Sequence, residues 1–272
     1  MDKPSINLVI PGGATHVIGY AGAAYELTHK FQIARLAGVS AGAIVSALLA
    51  FDIPAHEAYA LFKRLLQNDA LLDSSIGAAP RFGKCKWERV AAECDAVFGP
   101  KITLGEAHIP LTIVVTDMWT SSPVFLSSET HPKVLLREAL AASSAILPIA
   151  SAQEIASYIP KRLFIDGGFT DNRPDDLYDD CKEPTIVLCL NHDEDHDGKK
   201  EDVLPVRPWD FMQAAKAIVR CMLYASGAKK SARADLKEVW IEAKGDGLDF
   251  SLDVAEISAR WAAGKFAVAA MK

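Results

Sequence analysis

The sequence predicts an α/β fold: a single three-layer domain with a central, mostly parallel sheet and helices on both faces. Three observations predict it. Short apolar runs alternate along the chain with longer stretches of helical spacing. The runs are continuously apolar, as strands covered on both faces must be. The chain has 272 residues, 50% of them hydrophobic, enough to bury one large core. No repeat, low-complexity tract or linker divides it. Residues 1–272 therefore read as one domain, with the motif-bearing core between about residues 6 and 190.

The elements follow in order. "INLVI" (6–10) is a strand that stops at Pro11-Gly12-Gly13. From Val17 to Lys30 the apolar residues keep helical spacing. "IARLAGV" (33–39) is a buried strand, and a helix rich in alanine and leucine runs from Ala41 to Phe51. "PAHEAYALFKRLLQ" (54–67) is a helix with Pro54 at its first position. Residues 69–87 are irregular, a candidate lid. "WERVAAECDAVFG" is amphipathic and ends at Gly99, a common helix stop. "IPLTIVVTDM" (109–118) is a strand, with "SPVFLSS" as its hairpin partner. "KVLLREALAASSAIL" (133–147) is a helix. "KRLFIDGG" (161–168) and "PTIVLCLN" (184–191) are strands. Residues 191–208 are charged and loop-like. "WDFMQAAKAIVRCMLYA" (209–225) is an amphipathic helix whose stripe faces the core. "VWIEA" (239–243) and "EISARWAAGKFAVAAM" (256–271) are the last strand and helix.

Composition excludes several classes. Net charge is −6 and the pI about 5.7, which argues against a nucleic-acid binder and gives little attraction to anionic membranes. The N-terminus lacks an apolar signal region, and no run of about 18 apolar residues could cross a bilayer. Cys85, Cys94, Cys181, Cys189 and Cys221 are odd in number and form no C-x-x-C pair. They read as free thiols of a cytoplasmic protein. "NHDEDHD" (191–197) puts His192 and His196 four apart, but so acidic a tract reads as a solvated turn. No metal site and no cofactor are expected.

Chemistry concentrates at strand ends, where open α/β sheets collect reactive groups. Ser40 stands in G-x-S-x-G, Gly38 to Gly42, between a strand and a helix. That pattern marks a serine forced onto a sharp turn. Pro11-Gly12-Gly13-Ala14 follows the first strand, and Asp166-Gly167-Gly168 follows "RLFI". Together the three could supply nucleophile, oxyanion donors and base. A serine hydroxyl needs a base, a buried aspartate has its pKa raised toward that task, and an oxyanion needs preorganised N–H groups. Asp117, at the end of "LTIVVTD", reads as structural or as a weaker alternative base.

These pieces resemble the patatin-like phospholipases, from about Ile6 to Pro174 and more weakly beyond. The resemblance rests on "GGATHV" (12–17), "GVSAG" (38–42), "ALAASSAILPI" (139–149) and "DGGFTDNRP" (166–174), with Asn172 and Pro174 matching the family's D-G-G-x-x-x-N-x-P. It implies a Ser-Asp dyad without histidine. Ser40 would be the nucleophile, Asp166 the proton acceptor, and the backbone of Gly12, Gly13 and Ala14 the oxyanion hole. Gly38, Gly42, Gly167 and Gly168 would be motif glycines. The implied activity is a lipid acyl hydrolase of phospholipase A or lysophospholipase type. Its partners would be an acyl lipid and the membrane periphery. The first motif departs from the family's G-G-G-x-[RK]-G: Ala14 replaces the third glycine, His16 the basic residue and Val17 the last glycine. Two other readings compete. One is a patatin-fold binding protein with weak catalysis. The other is a Ser-His-Asp esterase using Ser40, Asp166 and His192, in which the nucleophile comes too early for the α/β-hydrolase order. The sequence sets no oligomeric state.

Overall fold

A computed structural model describes residues 3–67, 87–147, 150–158, 161–192, 235–245, 249 and 251–271. Among them, eight strands form one sheet: β1 Ser5–Ile10, β2 Gln32–Val39, β3 Leu111–Asp117, β4 Ser122–Ser127, β5 Gln153–Glu154, β6 Leu163–Asp166, β7 Thr185–His192 and β8 Lys237–Ala243. The order is β5-β6-β3-β2-β1-β7-β8, with β4 also paired to β3. The helices are α1 Val17–Lys30, α2 Ala41–Ala50, α3 Ala55–Leu66, α4 Trp87–Phe98, α5 Leu136–Ser143 and α6 Val254–Ala269.

The α/β class holds, but the sheet is mixed. From β3 through β2, β1 and β7 to β8, neighbours run parallel. The pairs β3–β4, β3–β6 and β5–β6 run antiparallel. Apolar runs report burial, not direction. The β3–β4 link of Met118 to Ser121 is too short for a crossover, so that pair must be a hairpin.

Alternation along the strands builds the core. Leu8 and Ile10 of β1, Leu36 of β2, Ile113 of β3 and Leu188 of β7 join one large cluster with buried side chains of α1, α2, α5 and α6. On the opposite face Val9, Ala37, Val187 and Cys189 pack with Tyr178. The expected helix at 209–225 and nearly all of the irregular tract 69–87 lie outside the described residues.

Several boundaries shift. Pro54 caps α3 rather than opening it. α5 starts three residues later than its apolar pattern, because the chain there bridges Leu135 to Thr103. β5 has no counterpart in the sequence pattern; two residues carry no periodicity. α6 packs tightly on α1: a Cβ at Gly264 would run into the Gly19 carbonyl oxygen, and one at Gly22 into the Trp261 carbonyl. No helix among the described residues is long and apolar enough to cross a membrane. Cys94, Cys181 and Cys189 are free thiols, while Cys85 and Cys221 lie outside the described residues.

Candidate functional site

Ser40 sits between β2 and α2 with φ 53° and ψ −129°. A non-glycine residue takes that conformation only when its surroundings enforce it. Two constraints do so here. The Ser40 N–H donates to Ser143 Oγ at 2.9 Å, and that hydroxyl donates to the Val114 carbonyl at 2.7 Å. α2 also lies so close to the first loop that a Cβ at Gly42 would overlap the carbonyls of Ile10 and Pro11. Gly38 packs just as closely on Ala43 and Ser46. The G-x-S-x-G spacing is therefore a packing requirement as well as a turn signal.

Asp166 reaches the same place by an unexpected route. The sequence pattern puts it at the end of a parallel strand, but β6 runs against β3. Asp166 pairs with Val115, one residue past the Val39–Val114 pair that precedes Ser40. β6 comes in from beyond the sheet edge and stops level with the serine. Thr116 Oγ1 donates to the Asp166 carbonyl at 2.8 Å, and Gly168 N–H donates to Asp166 Oδ1 at 2.8 Å. Gly167 and Gly168 form the tight turn that allows this. Asp166 Oδ2 is buried and has no hydrogen bond of normal geometry. Burial pushes the carboxyl pKa from 3.8 up to about 7, against the lowering influence of the Ser40 hydroxyl and the Gly168 N–H. Serine and aspartate are therefore neighbours, close enough for the hydroxyl to bias the carboxyl's titration.

Asp117 has a different fate. Burial raises its pKa, but Arg162 and the Trp119 N–H bind both its oxygens and hold the carboxyl below the ordinary range. It is structural, not a base.

The first loop packs beside Ser40: a Cβ on Gly12 would lie 3.0 Å from Ser40 Cβ and 2.5 Å from Asn172 Oδ1. The family resemblance makes Gly12 an oxyanion donor. Its N–H instead donates to Asn172 Oδ1 at 2.9 Å. Among the described residues nothing accepts from the N–H groups of Gly13 and Ala14, which open a 3-10 turn. Ala14 holds φ 45°. The glycine usual at this position would adopt that conformation freely, whereas for alanine it costs roughly 1 kcal/mol.

Sequence reasoning misses the supports. Asn172 fits a motif position that carries no stated task; in the fold it clamps Gly12 across 160 positions. Arg173 beside it is buried between Asp175 and Glu238 of β8, at 3.1 and 2.6 Å. Arg260 of α6 donates to Thr15 Oγ1 at 2.7 Å, tying the last helix to the first loop. Apart from the local Arg173–Asp175 pair, nothing in the sequence links these positions, because the Asn172–Gly12, Arg173–Glu238 and Arg260–Thr15 bonds span the fold. His192 closes β7; its side chain and His196 lie outside the described residues. Among the described residues no three ligating side chains converge to hold a metal.

A family profile described as patatin-like phospholipase matches residues 8–177. An uncharacterized protein of Acanthamoeba polyphaga mimivirus is 24% identical over 218 residues, 74% of this chain and 70% of that protein. The crystal structure of VipD from Legionella pneumophila superposes with a TM-score of 0.62 at 15% identity, over 99% of this chain and 66% of that one. The type III effector protein ExoU superposes with a TM-score of 0.50 at 12% identity, over 98% of this chain and 52% of that one. This chain thus spans less than two thirds of either solved structure. These likenesses show the fold, a three-layer α/β arrangement.

Proposed function

Since the chain belongs to the patatin-like phospholipase family, we propose that it is a lipid acyl hydrolase of phospholipase A or lysophospholipase type that works through Ser40 and Asp166. The observation that carries this reading is the pairing of a serine held at positive φ with a buried aspartate raised to about 7. An aspartate near neutrality can accept a proton and return it, which an ordinary carboxylate does poorly.

In the proposed reaction Ser40 Oγ attacks the ester carbonyl carbon as Asp166 takes its proton. The carbonyl oxygen becomes an oxyanion held by the Gly13 and Ala14 N–H groups, with the N-terminus of α2 adding positive potential. The intermediate collapses, the C–O bond breaks, and the departing alcohol takes the proton from Asp166. Asp166 then deprotonates water, which attacks the acyl-enzyme; as the second intermediate collapses, Asp166 returns that proton to the departing Ser40 Oγ and the fatty acid is released. The reading treats residues 1–272 as one domain.

The test is fatty-acid release from phospholipid, lysophospholipid and p-nitrophenyl butyrate. Ser40→Ala and Asp166→Asn should each cost at least about 10³-fold while folding as native. Well-folded native protein that cleaves none of these esters would refute the hydrolase and favour a binding protein.

A further inference from the structure

Six large apolar side chains among the described residues stand exposed, and three of them share one corner. Trp119 is 78% exposed, Met118 42% and Leu163 38%. Trp119 and Met118 form the tip of the β3–β4 hairpin. Met118 N–H donates to the Leu163 carbonyl at 3.0 Å, which sets these two residues side by side with Trp119 next along the chain.

The tip is braced rather than loose. The buried Asp117 carboxylate accepts from the Trp119 N–H at 2.8 Å and from Arg162. Ser121 closes the turn at φ 51°, donating to the Asp117 carbonyl at 2.9 Å. A tryptophan left in water on a fixed support gains nothing from folding. Such placement marks a surface built to meet something apolar.

Position tells what that is. Ser40 is level with Val115 of β3, and β3 runs on past it to Met118 and Trp119. Three to four strand residues span about 10–13 Å, so the tip overhangs the serine's edge by that much. Interfacial apolar groups enter a lipid surface by about 5–10 Å. Seating the tip to that depth brings Ser40 close to the layer where lipid ester carbonyls lie. Tryptophan suits this boundary, with an apolar body and a polar N–H. Arg162 neutralises Asp117 beneath the tip, and exposed Lys161 adds a cation at its flank.

We propose that the Met118–Trp119 tip with Leu163 is the docking point that seats this enzyme on a lipid–water interface with Ser40 facing the lipid. The proposal rests on the hydrolase reading for its choice of occupant. Insertion is apolar, so it does not depend on anionic lipid or low salt.

The test compares native protein, Trp119→Ala and Met118→Ser on phosphatidylcholine vesicles, by co-sedimentation at low and high salt and by fatty-acid release. Soluble p-nitrophenyl butyrate serves as a surface-free substrate. Both variants change exposed residues, and Trp119→Ala should lose vesicle binding and vesicle hydrolysis by about tenfold or more. Its rate on the soluble ester should stay within about twofold of native, since no bond to Ser40 or Asp166 changes. Trp119→Ala that sediments with vesicles as native does would overturn the proposal. So would native protein that cleaves the soluble ester yet ignores vesicles, a result that leaves the hydrolase reading intact. Native protein that binds vesicles through Trp119 but cleaves no ester would uphold the docking point and reject the hydrolase.

Discussion

On the proposed mechanism, burial of Asp166 serves catalysis at a cost in stability. It lifts the pKa from 3.8 to about 7, which favours proton transfer but disfavours the charged form in the fold. For an acid with a raised folded pKa, the folded state binds more protons than the unfolded chain between the two values. The contribution of Asp166 to stability is therefore most favourable below about 3.8, declines as pH rises, and is least favourable above about 7. Two results should follow. With the soluble ester, kcat/KM should climb about tenfold per pH unit below the Asp166 pKa and level off above it. Asp166→Asn, which the proposed mechanism makes inactive, should melt at a higher temperature than native at pH 8 and at the same temperature near pH 4. An equal gain at both pH values would mean that packing, not charge burial, separates the variants. Ser40 was legible in the sequence because its turn demands glycines on both sides. Asp166 was favoured over Asp117 by its D-G-G motif and the family resemblance, while strand-end position alone left both open; the fold adds that Asp117 is tied to an arginine.

At the level of elements, the site depends on holding one short loop. β1 delivers Gly12 to His16 beside Ser40, and this loop carries a left-handed alanine. Asn172 opposes that strain by accepting from Gly12 N–H, and it is fixed in turn by its neighbour Arg173, which is locked to Asp175 and Glu238. Asn172→Ala should release the loop. The expected loss is about 10–100-fold in kcat on the soluble ester, with KM nearly unchanged, because the oxyanion exists in the transition state and not in bound substrate. A change confined to KM would show instead that Asn172 shapes substrate binding. The order of elements was largely readable: α1 matches its expected span from Val17 to Lys30, and β1, β2 and β7 fall within two residues of theirs. Strand direction was not, and it matters here. Asp166 meets Ser40 because β6 is short and reversed, a fact that apolar periodicity does not encode.

For the whole molecule, the question is whether the last helix belongs to the same folding unit as the site. The family profile stops at residue 177, yet α6 sits against α1, and Arg260 reaches the loop beside Ser40. α1 itself begins immediately after that loop. The α1–α6 contact is backbone on backbone: Gly264 lies over Gly19 and Ala23 with no room for a methyl group. Gly264→Ala weighs two opposing effects. Alanine gains up to about 1 kcal/mol in helix propensity. Against this, overpacking costs about 1–3 kcal/mol, and here the obstacle is a carbonyl that cannot turn aside as a side chain would. The clash should win, and the variant should be destabilised. If residues 1–272 fold as one domain, native protein should melt in a single calorimetric transition, and Gly264→Ala should lower that whole transition by roughly 2–4 °C for each kcal/mol lost. Ester hydrolysis should fail at the same lowered temperature. A separate early transition that leaves hydrolysis intact would mean that α6 folds independently of the site, and that the Arg260–Thr15 bond is not needed to hold the loop.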